Sequence, residues 1–359
     1  MSVKKISVLI CDDSALMRKN LRAIIESSPD LEVIGIARDG EEAVVKAREL
    51  NPDVITMDIN MPRLDGITAL QIIVDEQIAP VLMVSSLTQE GATVTFEAMA
   101  LGAFDYVAKP DGTVSVHMQA LAHEIVEKIK AAARPGTMRR LSRKSSTSEN
   151  LKKALKTERV VRESKPRNTT GFKAVAIGIS TGGPKTIFDV LPFLPGDLNA
   201  AVFLVQHMPA NFLSSFAERI DSKCQMKCVE AEAGKTVEPG YIYLGRGGYH
   251  LTLYQKLTKQ ISIRNTTKPD HLFMPSVDVM MSSVFDVFGR DTIGVLMTGM
   301  GDDGADSMVK INQGGGITIA ESEETAIVFG MPKEAIDRGG ARIVRPSWEI
   351  ADEIIKAVR

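Results

Sequence analysis

Gly178-Ile179-Ser180-Thr181-Gly182 follows an apolar run, KAVAIGIS, and precedes a helical segment. In that setting G-x-S-x-G makes a sharp strand-to-helix turn that exposes the serine oxygen. The start of the helix also offers backbone N–H groups to negative charge. A serine hydroxyl becomes a nucleophile only when a base takes its proton, so a histidine must stand nearby. Of the five histidines, His117 and His123 fall on an amphipathic helical segment, and His250 and His271 fall in hairpin and loop sequence. His207 alone ends an apolar strand, AAVFLVQ, one β-α step after Ser180. Adjacent parallel strands bring both side chains to the same carboxyl edge. A carboxylate should then orient the imidazole. Asp302 and Asp303 sit in a Gly-rich turn after the run TIGVLMTG, and Asp278 in PSVDV is a further candidate. Spacing does not choose among them. The order Ser, His, Asp also differs from the Ser, Asp, His order of the α/β-hydrolases, so that fold is excluded.

A second set of chemically capable residues lies in the first half. Asp12 and Asp13 end the run ISVLIC, Asp58 ends DVITM, Ser85 and Ser86 end PVLMV, and Lys109-Pro110 follows FDYVA. Three carboxylates converging after apolar strands repel one another unless a cation joins them, and hard oxygen ligands suit Mg²⁺. A hydroxyl and an ammonium opposite them can hold the oxygens of a phosphoryl group.

The elements that must position these residues follow from the hydrophobic pattern. Between Lys5 and Ala133 five short apolar runs alternate with amphipathic helical segments. This predicts a (βα)5 doubly wound domain with a parallel sheet covered on both faces. From Phe172 the chain alternates again: KAVAIGIS, a helix near Thr186–Leu194, AAVFLVQH, and a helix near Phe212–Lys223. The stretch KTVEPGYIYLGRGGYHLTLYQKLTKQISIRN reads as antiparallel hairpins. The helical PSVDVMMSSVFDVFG, the strand TIGVLMTG, a helix from about Asp306 and the strand ITIAE then complete a second doubly wound α/β domain with a hairpin insertion.

Composition agrees with two globular domains. The chain has 359 residues, 44% hydrophobic and 25% charged, which excludes general disorder and a small disulfide scaffold. No apolar stretch approaches the roughly 18–20 residues needed to span a bilayer, so the chain is not expected to be membrane-inserted. The N-terminus lacks a secretory core, and three cysteines without metal spacing point to a reducing cytoplasm. Charge is uneven: residues 134–170 hold 12 Lys or Arg against 3 Asp or Glu, leaving the rest at −11. This stretch reads as a basic flexible linker with a helical turn or two around Leu151–Leu155, between domains at 1–133 and 171–359.

Residues 5–130 resemble the receiver domain of bacterial response regulators through CDDSALMR, TMDINMPRLDG, VSS and AKP. The resemblance implies that Asp58 accepts phosphate from a histidine kinase and that Asp12, Asp13 and Asp58, with the Asn60 carbonyl, hold Mg²⁺. It further implies that Ser85 and Lys109 engage the phosphoryl oxygens, and that Tyr106 is the aromatic residue following the switch. Residues 172–359 are similar to the catalytic domain of the chemotaxis protein-glutamate methylesterases, the CheB family. The matching motifs are GISTGGP, VQHMP, KPDHLFMPSVDV and LMTGMGDDGADSM. By that resemblance Ser180 is the nucleophile, His207 the base and Asp303 the orienting carboxylate. The Met300 backbone N–H donates to the oxyanion, with Thr181 beside the nucleophile. Ile179 stands where the family often has alanine.

The implied substrates are γ-methyl glutamyl esters, and glutamines, on methyl-accepting chemoreceptors. The ester chemistry needs no cofactor, and phosphorylation is expected to move the receiver off the Ser180 edge. Two rival classes have less support. A DNA-binding regulator would put its positive charge on the effector half, which is acidic and has no helix-turn-helix pattern, so no nucleic acid is expected. A non-enzymatic phosphate cradle at Thr181-Gly182-Gly183 lacks the P-loop lysine, since Lys185 follows a proline.

Overall fold

An apolar run buried from both sides belongs in a parallel sheet with helices on its two faces. The computed structural model describes residues 4–85, 89–109, 116–141 and 171–359. In the first unit, β1 (Ile6–Cys11), β2 (Leu31–Ala37), β3 (Val54–Asp58), β4 (Val81–Ser85) and β5 (Asp105–Ala108) form a parallel sheet ordered β2-β1-β3-β4-β5. The helices are α1 (Ala15–Glu26), α2 (Gly40–Leu50), α3 (Gly66–Asp75), α4 (Gln89–Leu101) and α5 (Val116–Ala132). Ser14, Asp39 and Asp65 cap the first three, accepting the N–H of Met17, Glu42 and Thr68. A short helix α6 (Thr137–Leu141) follows, with Thr137 and Leu141 buried. Register pairs Cys11 with Met57 and Ser85 with Ala108, so the chain leaves the sheet at Asp12, Asp58 and Lys109 along one edge. Ser86, Pro110, residues 142–170 with their expected turn at Leu151–Leu155, and the side chains of Ser85 and His117 lie outside the described residues.

The second unit is built on a sheet of seven parallel strands ordered β14-β13-β12-β6-β7-β9-β8. These are β6 (Lys173–Ile179), β7 (Ala200–Gln206), β8 (Lys227–Glu230), β9 (Tyr241–Leu244), β12 (Thr292–Leu296), β13 (Ile317–Glu321) and β14 (Ile343–Arg345). A separate antiparallel pair, β10 (His250–Gln255) with β11 (Ile261–Thr266), is the expected hairpin. Its helices are α7 (Ala210–Lys223), α8 (Val277–Phe288), α9 (Ala305–Gln313), α10 (Met331–Asp337) and α11 (Ser347–Val358). The core lies between the sheet and α8, where Phe203 stacks on Tyr243 with ring centroids 5.7 Å apart and Met280, Met281 and Val284 are buried.

Two local readings of the sequence are corrected. YIYL is not part of a hairpin but is β9, parallel to β7 and β8. Ile242, Tyr243 and Leu244 are all buried, and a run covered on both faces fits a central parallel strand better than a half-solvated ribbon. The helix expected near Thr186–Leu194 is instead a helical turn, Gly183–Thr186, and two 3₁₀ turns at Ile187–Asp189 and Leu191–Phe193. Pro192 has no N–H to give an α-helical ladder, and its ring crowds the preceding turn.

Candidate active site

In the second unit β6 lies between β12 and β7, where the order of connection reverses, and open α/β sheets gather ligands at such a point. Ile179 pairs with Gln206 and Gly178 with Leu296. Ser180 and His207 therefore leave neighbouring strands at one level. The turn is tied down by its own backbone. Ser180 N–H donates to the Thr298 carbonyl at 2.9 Å, and His207 N–H to the Ile179 carbonyl at 3.2 Å. Gln206 Nε2 donates to the carbonyls of Ser180 and His207 at 3.0 and 2.9 Å. Gly182 adopts φ +79°, and a Cβ there would fall 2.5 Å from Ile327 Cβ, so the elbow demands glycine.

His207 Nδ1 lies 3.2 Å from Ser180 Oγ, and His207 Nε2 lies 2.8 Å from Asp303 Oδ2. An ionised carboxylate only accepts hydrogen bonds, so Nε2 carries the proton and Nδ1 turns its lone pair to the serine. Asp303 is buried and well supplied with donors. It accepts Ser276 Oγ–H at 2.8 Å, Val277 N–H at 2.7 Å and Asp278 N–H at 3.0 Å, all at the start of α8. Burial pushes its carboxyl up, but the hydrogen bond and charge of His207 and the two N–H donors outweigh this and hold it at about 2. Asp302 instead pairs with Arg338 at 2.6 Å, and Asp278 accepts Ser307 N–H at 2.8 Å. Of the three acids left open by spacing, Asp303 alone meets the imidazole.

Opposite Ser180, the Thr298–Gly301 loop approaches closely. A Cβ on Gly299 would come 2.9 Å from Ser180 Cβ. Among the described residues no protein acceptor takes the backbone N–H of Thr181 or Met300. Sequence reasoning missed Ser276, Thr298 and Glu321, which brace this constellation. For Ser276 the readable signal is its place inside PSVDV, a serine just before a helical run.

The first unit gathers its acids at one edge. Carboxylate oxygens of Asp12, Asp13 and Asp58 lie within 4.8 Å of one another. Lys109 Nζ donates to Asp58 Oδ2 at 2.7 Å and stands 3.7 Å from Asp12 Oδ2. Asn60 N–H donates to Asp58 Oδ1 at 3.4 Å. Burial raises the pKa of both Asp12 and Asp58, and for Asp12 the charge of Asp58 adds to it. Asp12 Oδ2 is buried with no hydrogen-bond partner, and such an oxygen among three carboxylates fits a hard divalent cation. Tyr106 is buried on β5, and Lys128 Nζ donates to its carbonyl at 2.7 Å.

Fold and site together define a serine-hydrolase arrangement on one parallel sheet and a receiver-type acid cluster on another. Residues 175–354 match the family described as CheB methylesterase, and residues 8–121 match the response regulator receiver domain. A protein-glutamate methylesterase/protein-glutamine glutaminase of Syntrophomonas wolfei is 59% identical over 98% of this chain and 99% of its own. One of the same description from Caldanaerobacter subterraneus is 52% identical over 99% of this chain and 97% of its own. The crystal structure of the Thermotoga maritima CheB methylesterase catalytic domain aligns with TM-score 0.50 and 38% identity, covering 52% of this chain and 98% of that one. The chain belongs to the CheB methylesterase family and is a hydrolase with an attached receiver domain. No helix among the described residues is long and apolar enough to cross a membrane.

Proposed function

We propose that this chain is a phosphorylation-activated protein-glutamate methylesterase and protein-glutamine glutaminase acting on chemoreceptors in the cytoplasm. The observation that carries the reading is the contact series from Ser180 Oγ through both His207 nitrogens to Asp303, at 3.2 and 2.8 Å. Ser180 Oγ attacks the γ-carbonyl of a methylated glutamate while His207 Nδ1 accepts its proton. Asp303 steadies the imidazolium that results. Backbone N–H groups of Thr181 and Met300 receive the oxyanion, each such donor contributing about 3–4 kcal/mol. His207 returns the proton to the departing methoxide, methanol leaves, and Ser180 is acylated. Water, deprotonated by Nδ1, then attacks the acyl group and restores free glutamate and Ser180. With glutamine the first leaving group is ammonia, and the remaining steps are the same.

The receiver supplies control. Asp58 accepts phosphate from a histidine kinase, exchanging its single carboxylate charge for an acyl phosphate of about −1.5 to −2 beside Lys109 and Ser85, with Tyr106 following. Asp12, Asp13, Asp58 and the Asn60 carbonyl would hold Mg²⁺, which when bound neutralises the converging oxygens. The unphosphorylated receiver restrains access to Ser180, and the 134–170 segment tethers the two domains. Methanol release from methylated receptor, measured before and after phosphorylation, tests the whole scheme. Ser180→Ala should abolish release and Asp58→Asn should abolish its stimulation. Deleting residues 1–133 should raise the unphosphorylated rate. A deletion no faster than the whole chain rules out restraint by the receiver.

A further inference from the structure

The segment between β11 and α8 takes no part in the steps above, yet it lies directly against them. Phe273 stacks on the His207 imidazole with centroids 4.0 Å apart and planes 10° from parallel. Phe273 N–H donates to His271 Nδ1 at 3.2 Å. In neutral His271 this leaves the proton on Nε2, which stands 3.7 Å from Asp303 Oδ1. One short segment thus touches both the base and the acid of the relay.

The same segment is fixed at its two ends by a single buried side chain. His250 is fully buried on β10. Its Nδ1 accepts Ser276 N–H at 3.1 Å, and its Nε2 donates to the Pro269 carbonyl at 3.0 Å. Both bonds need the neutral ring with its proton on Nε2, and burial favours that form by lowering its pKa. Ser276 in turn gives its hydroxyl to Asp303, so the clasp and the relay share a residue.

We propose that residues 269–276 form a strap that aligns the acyl-transfer relay, in which Phe273 and His271 are positioning residues and His250 clasps the ends. This inference rests on reading Ser180, His207 and Asp303 as that relay. The physical basis is the rotational freedom of an imidazole held only by hydrogen bonds to a serine and a carboxylate. A flat ring stacked on one face confines it to the plane that serves both partners. Misplacing such a base by about 1 Å can cost on the order of 100-fold in rate.

The test uses the phosphorylated full chain and methylated receptor, with kcat and KM determined separately. Phe273→Leu should lower kcat about 10- to 100-fold with KM nearly unchanged. Phe273→Tyr, which keeps the stacked ring, should retain most of kcat. His271→Ala should act in the same direction, and combining it with Phe273→Leu should cost less than the product of the two, because both act through one strap. Leu257→Ser, at a fully exposed position on the turn between β10 and β11 and outside the strap, should leave kcat unaltered. Unchanged kcat in Phe273→Leu, a rise in KM alone, failure of Phe273→Tyr to rescue, or full additivity would each overturn the strap. Ser180→Ala separates this outcome from failure of the underlying relay: if that variant still releases methanol, the relay itself is wrong whatever Phe273 does.

Discussion

Glu321 Oε2 accepts the backbone N–H of Thr298 at 2.8 Å, and Thr298 in turn holds Ser180 N–H on its carbonyl. The carboxyl is fully buried at the end of β13, and that burial pushes it up to about 8 despite the hydrogen bonds from Thr298 and Thr325. Unfolded glutamate loses its proton near 4.5. From there up to about 8 the folded chain therefore holds a proton that the unfolded chain has released, and stability falls as pH rises across that window. Glu321→Gln should remove this slope and gain on the parent steadily between pH 5 and 8 in denaturant titrations. Parallel stability curves for the two proteins would contradict a buried neutral carboxyl.

Asp303 behaves in the opposite sense. Its folded value of about 2 lies below the ordinary 3.8, so its contribution is present above 3.8 and lost as pH falls toward 2. Asp303→Asn should take up fewer protons on acid unfolding than the parent. It should also lower kcat by about 10⁴-fold, since an amide no longer enforces the tautomer that frees Nδ1. A modest loss, within about tenfold, would remove Asp303 from the relay.

Gly182→Ala meets both a left-handed backbone and the Ile327 side chain, 2.5 Å from the added methyl. It should destabilise the second unit by about 1–3 kcal/mol and reduce methanol release. Gly339→Ala is the control: φ is +72° there, with nothing within 4 Å, so it carries the backbone term alone, about 1–2 kcal/mol. Thermal unfolding of the two variants separates the clash from the dihedral.

Chelation of Mg²⁺ should abolish phosphate incorporation from acetyl phosphate while leaving unstimulated methanol release intact. Asp12→Ala, which removes the buried oxygen that accepts no hydrogen bond, should lose incorporation even with excess Mg²⁺. Undiminished labelling in either case argues against the acid cluster as the cation site.

Much of this was legible because parallel strands announce themselves as apolar runs and place whatever follows them at one edge. Ser180, His207, Asp12, Asp58 and Lys109 could be found that way. The choice among Asp278, Asp302 and Asp303 could not, since it depends on how α8 starts against the turn after β12. YIYL misled for a related reason: Gly-rich neighbours suggest a hairpin, while burial of both faces of β9 is a property of the assembled sheet. The brace at Glu321 and the residues around His250 left no periodic signal, because their partners are backbone groups far along the chain.

Ser180, His207 and Asp303 stand within hydrogen-bonding reach just beyond the ends of three neighbouring strands, so the proposed relay needs no assembly step. On the proposed reading, phosphorylation of the receiver changes access to this relay and not its chemistry. Turnover by each open molecule should then be the same whether or not Asp58 carries phosphate.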